Sequence, residues 1–456
     1  MDKKNKVRNI QFLLFGIMTL WLSGCSSDDN DSTATMKIIA LSLNGSPIVD
    51  GMEGVPLNST VEIVFSAKVD PDSFESAFSL SSGEGEIPFS IDFMNQSTKV
   101  VLQFENMPAA NLLTLVVGPA VSGLEGKRLE NPIDLTFSTV NLDSDTKLPC
   151  LSGDCTQQLR FTDNFFEIHS NYDFVDDSEY VWDFIDKVVV VVHGAERNAG
   201  DYYNYMMNSL GSLGLEESTL VISPYFQDGP SATSDALVWN DSRWREGANA
   251  GNNNNAISSF TVMDSLVNLF SDPDRFPNLK TVFIAGHSSG AAFTQHYAIA
   301  SKVQRLYPGL DFQYVVANNQ YFYYPDGQRL DEETGNFYLP TDCAGFDYWP
   351  YGPEFRVPYL EEIEATTLAA QQRSSNTVYL LGSNDTVTSG TFNSSDCQAM
   401  LLGSNRFKRG GNMFTYMETF HAGNHNHRKI VVPNVGHDGN GMFNSNEFQQ
   451  YLMEFQ

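Results

Sequence analysis

A chain of 456 residues is too long for one ordinary domain and predicts two or three folded units, at least one with a sizeable core. With 41% apolar residues and ordinary Gly and Pro contents, it is neither fibrous nor mostly disordered. Its formal net charge of −29 repels nucleic-acid phosphate, which excludes nucleic acid as a charge-recruited partner, and the many carboxylates read as a solvated surface rather than an acidic catalytic cluster.

The first element is a cationic stretch with Lys3, Lys4, Lys6 and Arg8, followed by an apolar run over 10–22 that ends in Leu-Ser-Gly-Cys. The run is short for a bilayer span and carries charge on one side only, the pattern of an export signal. Its ending resembles a bacterial lipoprotein signal, and that resemblance implies a segment 1–25 closing on a lipidated Cys25 that begins the mature chain. Losing the residues before Cys25 removes four cations and one carboxylate and brings the net charge to about −32. Acyl chains on Cys25 are then the expected membrane anchor. Residues 26–35 contain the acidic stretch SSDDNDST and read as a flexible tether. They resemble the acidic tags of surface-exposed lipoproteins of Bacteroidota. The implied location is extracytoplasmic, on the outer membrane, facing either the periplasm or the cell surface.

Four further cysteines, Cys150, Cys155, Cys343 and Cys397, are an even number in an export context where disulfides persist. Three connectivities are open to them; proximity favours Cys150 with Cys155, leaving Cys343 with Cys397. Their spacing does not match a tetrahedral metal site, and no metal is expected.

Residues 36–140 show short alternating runs, among them STVEIVFSAKV, TKVVLQFENM and NLLTLVVG, separated by Gly, Pro, Asn and Asp clusters. Several such runs over about a hundred residues predict an all-β sandwich. The stretches VPLNSTVEIVFSAKVDPDSF and IDLTFSTV resemble bacterial Ig-like domains. No catalytic constellation is visible there, so the unit reads as a spacer or packing partner. Residues 141–156 read as a linker.

From 157 to 456 strand-like and helix-like runs alternate. The strands are KVVVVVHG, STLVISPYF, KTVFIAG, FQYVVANN, NTVYLLGSND and RKIVVPNVGH. Near-continuous Val, Ile and Leu runs fit strands buried on both faces, and alternation with helices predicts a mostly parallel sheet. The Asn-rich run after Gly251 reads as a polar loop.

The stretch LKTVFIAGHSSGAAFTQHYAIA places Gly-x-Ser-x-Gly between a predicted strand and a predicted helix, with Ser288 at its centre. Small residues are needed around such a tight turn, and Gly286 and Gly290 supply them. At the start of the helix, the Ser289 amide is a candidate oxyanion donor. A serine hydroxyl needs a base, and imidazole titrates in the right range. His437, in the loop after the last strand, is the candidate. Asp385, just after the preceding strand, is the candidate carboxylate to orient it, with Asp438 and Asp396 as competitors. The loop HGAERNA offers the Ala195 amide as a second oxyanion donor, with His193 in a structural role and Glu196, Arg197 and Asn198 at the pocket mouth or helix start.

The motifs HGAERNA, GHSSG, LLGSND and PNVGHD together resemble the α/β-hydrolases, over more than half the chain. The resemblance implies an α/β fold with a mostly parallel sheet and helices on both faces, here preceded by the Ig-like sandwich. It also implies acyl transfer to water through an acyl-enzyme. A carboxylic ester is the expected substrate, and no cofactor is expected. The exported architecture extends this expectation to acyl or aromatic esters on polysaccharides. A peptidase or amidase of the same fold, or a non-catalytic binding lipoprotein, are the alternatives.

Residues 320–359 are rich in Tyr, Phe and Trp and read as an insertion that either lines a pocket or forms a mini-core pinned by Cys343 and Cys397. His421, His425 and His427 lack matching carboxylates or thiolates and read as a polar loop.

Overall fold

The computed structural model describes residues 35–455 except 45, 84, 105–106, 125, 141–146, 152–154, 252–255 and 391–392. Cys25, the export segment, the tether up to residue 34 and the Asn run over 252–255 lie outside the described residues. The chain divides into two units, Met1–Asp143 and Ser144–Gln456.

In the first unit, one sheet runs in the order Ser46–Pro47, Ile38–Leu43, Ser59–Phe65, Lys99–Phe104 and Phe89–Met94, antiparallel throughout. The other runs Met52–Val55, Ile133–Thr139, Leu112–Val117, Phe78–Ser82 and Gly85–Glu86, with the first pair parallel and the rest antiparallel. Period-2 alternation does the sorting: along Ser59–Phe65, Val61, Ile63 and Phe65 are buried, while Thr60, Glu62 and Val64 are half-exposed. The inward residues of both sheets share one core with Val100, Leu102, Leu113, Leu115 and Phe137. A short helix, Pro71–Ala77, opens on an Asp70 carboxylate that accepts from the Asp72 amide at 3.1 Å. It drives Phe74 into this core, stacked on Phe78 at 5.3 Å and edge-on to Phe65 and Phe93. Such an all-β sandwich is the Ig-like architecture.

In the second unit eight strands form one sheet: β1 Thr156–Phe161, β2 Asn164–Ser170, β3 Lys187–Val192, β4 Thr219–Pro224, β5 Thr281–His287, β6 Asp311–Ala317, β7 Asn376–Gly382 and β8 Arg428–Val432. Their spatial order is β1-β2-β4-β3-β5-β6-β7-β8. The β1–β2 and β2–β4 pairs are antiparallel and all others parallel. The helices that cover it are α1 Ala199–Gly211, α2 Ser259–Phe270, α3 Ser289–Ala300, α4 Ala365–Ser374, α5 Arg406–His421, α6 Gly439–Phe443 and α7 Asn446–Met453.

Strand β3 explains why no alternation is visible in its sequence. Val189 and Val191 pack with Tyr202, Met206 and Leu210 of α1 and Phe448 of α7. Val188, Val190 and Val192 pack with Phe260 and Met263 of α2 and Phe293 and Tyr297 of α3. Both faces are covered, so every position must be apolar. This mostly parallel sheet, layered with helices on both faces, is the α/β-hydrolase architecture. Because β3 and β5 to β8 run the same way, the loops after them collect at one edge of the sheet.

Within the segment expected as a linker over 141–156, Cys150 and Cys155 are packed against this unit. The Cys150 amide donates to the Asn171 carbonyl at 2.7 Å, the Tyr203 hydroxyl donates to the Cys150 carbonyl, and Cys155 is buried beside α1. Cys150 is bonded to Cys155, and Cys343 to Cys397. The aromatic stretch over 320–359 falls between β6 and β7. Its Tyr321, Phe322, Tyr323 and Tyr324 are buried, and the guanidinium of the fully buried Arg329 lies 4.5 Å from the Tyr324 ring while donating to the carbonyls of Gln328, Phe346 and Tyr351. A mini-core therefore describes most of it.

Candidate active site

Ser288 sits between β5 and α3 in a conformation that side chains rarely adopt, with φ +59° and ψ −115°. The turn is too crowded for anything but glycine on either side. A Cβ on Gly286 would stand 2.2 Å from the Gly290 carbonyl oxygen, and one on Gly290 would stand 2.1 Å from the Val192 carbonyl oxygen. The Ser288 amide donates to the Ala317 carbonyl at 3.0 Å, which ties the turn to the end of β6.

The structure brings Ser288, His437 and Asp385 together. Asp385 is almost fully buried, and its carboxylate can only accept, so His437 Nδ1–H donates to Asp385 Oδ2 at 2.8 Å. Nε2 is then left as the acceptor for the Ser288 hydroxyl, at 2.9 Å. Asp438 and Asp396 have other work: each is the N-cap of a short helix, Asp438 accepting from the Asn440 amide and Asp396 from the Ser394 hydroxyl.

Hydrogen bonds of two asparagines hold the two partner loops in place. Asn318, fully buried at the end of β6, accepts from the Gly382 amide at 2.8 Å and donates to the Gly436 carbonyl at 2.9 Å. It thereby joins the ends of β6 and β7 to the residue before His437. The Asn384 amide donates to the Val435 carbonyl at 2.9 Å, beside Asp385.

A cleft of about 640 Å³ opens over Ser288, and its walls include Gly194, Ala195, Ser289 and His437. Gly194 approaches closely enough that a Cβ on it would lie 3.9 Å from Ser288 Cβ. The Ser289 amide belongs to the first turn of α3, whose leading N–H groups have no partner within the helix. Ala195 and Ser289 therefore flank the serine.

The neighbouring histidines are kept neutral. His193 is fully buried; it accepts from the Phe226 amide at Nε2 and donates from Nδ1 to the Gly194 carbonyl at 2.8 Å. Burial lowers its pKa to about 4, and its hydrogen bonds brace the loop that carries Ala195. His287, just before the nucleophile candidate, bonds the Tyr202 hydroxyl through Nδ1 at 2.9 Å, and its ring lies 4.6 Å from that of His437. Burial, then the nearby His437, hold its pKa well below the usual imidazole range.

Tyr202, Tyr205, Arg245, Gln320 and Arg406 also line the cleft. Gln320 opens the stretch that the sequence offered as a pocket lining; sequence reasoning did not find the other four, since they lie in separate segments with no motif spacing. The histidines over 421–427 are engaged elsewhere: His427 Nδ1 accepts from the Tyr379 hydroxyl at 2.7 Å and Nε2 donates to the Gln372 carbonyl at 2.6 Å, while His425 meets Glu418. Among the described residues no helix is long and apolar enough to cross a membrane.

Residues 37–139 match the family model of the bacterial Ig-like domain. No curated protein matches this chain. Among solved structures it is similar to the LpqC poly(3-hydroxybutyrate) depolymerase from Bordetella parapertussis, at 18% identity and TM-score 0.45, covering 63% of this chain and 87% of that one. It is similar to poly(aspartic acid) hydrolase-1 from Sphingomonas sp. KT-1 at 17% identity and TM-score 0.43, covering 66% and 97%. The S-formylglutathione hydrolase FrmB from Staphylococcus aureus follows at 11% identity and TM-score 0.38, covering 66% and 97%.

Proposed function

We propose that the second unit is a serine hydrolase that cleaves carboxylic esters through an acyl-enzyme. The observation that carries this reading is the hydrogen-bonded chain Ser288, His437, Asp385 at 2.9 and 2.8 Å, on a strained turn at the mouth of a cleft. Ser288 Oγ attacks the ester carbonyl carbon while His437 Nε2 takes the hydroxyl proton. Asp385 holds the ring in the required tautomer and stabilises the imidazolium. The Ala195 and Ser289 amides donate to the oxyanion. His437 then returns the proton to the departing alkoxide, releasing the alcohol. Water, deprotonated by the same nitrogen, attacks the acyl-enzyme carbonyl and releases the acid and free Ser288.

Hydrolysis of p-nitrophenyl acyl esters, acetylated sugars and feruloylated sugars by wild type and Ser288→Ala tests this. The variant is expected to stay folded and lose at least about 10⁴-fold in kcat. Equal rates for the two proteins would refute the reading. Turnover confined to amide substrates would make the protein a peptidase, and failure of Ser288 to react with a fluorophosphonate would leave a binding protein.

Acyl or aromatic esters on polysaccharide are the proposed natural substrates, supported by the Ig-like unit ahead of the hydrolase unit. The N-terminal sequence supports export and lipid anchoring at Cys25 in the outer membrane. Cys25→Ala is expected to release the protein from membranes; retention would count against the anchor.

A further inference from the structure

The chain carries a net charge of −29, yet the cleft wall beside Ser288 contains two guanidiniums, Arg245 and Arg406. Arg245 comes from a single turn, Ser242–Glu246, that is held on three sides. Trp244 is buried against Phe226 at 4.9 Å, the Ser259 hydroxyl donates to the Trp244 carbonyl, and the Trp349 indole donates to the Glu246 carbonyl at 2.8 Å. The turn closes on Gly247 at φ +87°, where a Cβ would strike the Phe260 ring at 2.5 Å. The Arg245 side chain thus leaves a rigid support. Its guanidinium lies 5.0 Å from the Tyr321 ring centre, and Nη1 donates to the Ser289 hydroxyl at 3.1 Å, one residue beyond Ser288.

One carboxylate pairs with that charge without closing a hydrogen bond on it. Glu246 Oε1 stands 3.8 Å from Arg245 Nε, beyond hydrogen-bonding distance, and accepts from the Tyr321 hydroxyl at 2.9 Å instead. Nε is buried and has no hydrogen-bond partner among the described residues. Burial raises the Glu246 pKa above the usual carboxylate range, and the Arg245 charge opposes that rise. The other carboxylates lining the cleft outside the hydrogen-bonded chain, Glu196 and Asp438, are exposed, where water and salt screen them. Arg406, almost fully buried and within electrostatic reach of the Asp385 carboxylate, is the second cation and donates to Asn318 O at 3.3 Å and to Gln320 Oε1 at 3.0 Å.

We infer that Arg245 makes this cleft selective for esters that carry a carboxylate close to the scissile bond. The inference rests on the ester-hydrolase reading and names the substrate class of that same site. A carboxylate entering the cleft gains a charge-assisted bond from a group already oriented and partly desolvated, whereas a neutral isostere does not. Arg245 is in this role a specificity residue, and the alternative role, stabilising the oxyanion of every ester, predicts different kinetics.

The test uses two matched pairs of esters with the full-length protein: 4-acetoxybenzoate against 4-acetoxybenzamide, and monomethyl adipate against its primary amide. Wild type is expected to favour the carboxylate member of at least one pair by about tenfold or more in kcat/KM, less at high salt. In Arg245→Gln the ratio falls to about one, and in Arg245→Lys it is intermediate. A wild-type ratio at or below one in both pairs overturns the inference, as does a variant that lowers both members alike. A measurement independent of any variant is inhibition of p-nitrophenyl acetate turnover by 4-hydroxybenzoate and 4-hydroxybenzamide. Stronger inhibition by the acid supports the inference, and equal inhibition counts against it. If p-nitrophenyl acetate shows no Ser288-dependent turnover, the ester-hydrolase reading itself fails, an outcome separate from a missing charge preference.

Discussion

The two units bury different kinds of side chain. Among the described residues of the Ig-like unit, the buried polar side chains are Ser59 and Thr139, and both serve turn or strand-end hydrogen bonds. In the second unit His193, His287, Ser288, Asn318 and Asp385 are all buried within a few residues of strand ends, and Arg406 is buried at the start of α5. Burying a polar group without a partner costs about 1–3 kcal/mol, so a fold accumulates such groups only where they are organised. The contrast teaches that the first unit buries almost nothing but apolar side chains, while the second has a prearranged polar edge set in an apolar frame.

Substitutions can break or sharpen that contrast. The largest expected effect is from Gly290→Ala, where the added Cβ meets backbone rather than a movable side chain. It should destabilise the second unit by more than about 5 kcal/mol. Hydrogen exchange would show amides of β5 losing protection while those of Lys99–Phe104 in the Ig-like unit keep theirs.

Next is Phe74→Ala, which empties the centre of the Ig-like core. A loss of about 3–5 kcal/mol in that unit is expected, with kcat/KM on small esters unchanged. A parallel fall in kcat/KM would show that the sandwich supports the active edge and would erase the contrast.

The smallest effect concerns Asp264 on α2, which accepts from the Tyr297 hydroxyl at 2.8 Å and the Tyr359 hydroxyl at 2.6 Å. Burial outweighs these bonds and raises its pKa to about 6. A carboxyl with a raised folded-state pKa contributes stability that is fully present below its unfolded pKa near 4 and lost as pH rises through about 6. Wild type should therefore lose about 1–3 kcal/mol between pH 4 and pH 7 relative to Asp264→Asn, measured by denaturant unfolding. No difference in slope would mean that the two tyrosines fully compensate the charge.

The sequence by itself determined the architecture of both units, because burial on one face and burial on two leave different marks. STVEIVF alternates since one face meets the core, and KVVVVV does not since both faces do. The GHSSG turn was legible for the same kind of local reason, as only glycine fits beside the Val192 and Gly290 carbonyls. The start of the second unit was less legible: Cys150 and Cys155 lie in a stretch with linker composition, and only their packing against Asn171 and Tyr203 assigns them to it. Which aspartate would face His437 was narrowed by chain order but not decided, with Asp438 and Asp396 in comparable loops. Tertiary structure decided it, through the Asn318 and Asn384 bonds that align the loops after β7 and β8. The tertiary structure alone also brought Arg245 and Arg406 to the cleft, from segments about 40 residues before Ser288 and more than a hundred after it. Local patterns record what each residue must avoid or bury, whereas a cleft is a meeting of strand ends distant in sequence, and that distance leaves no periodicity to read.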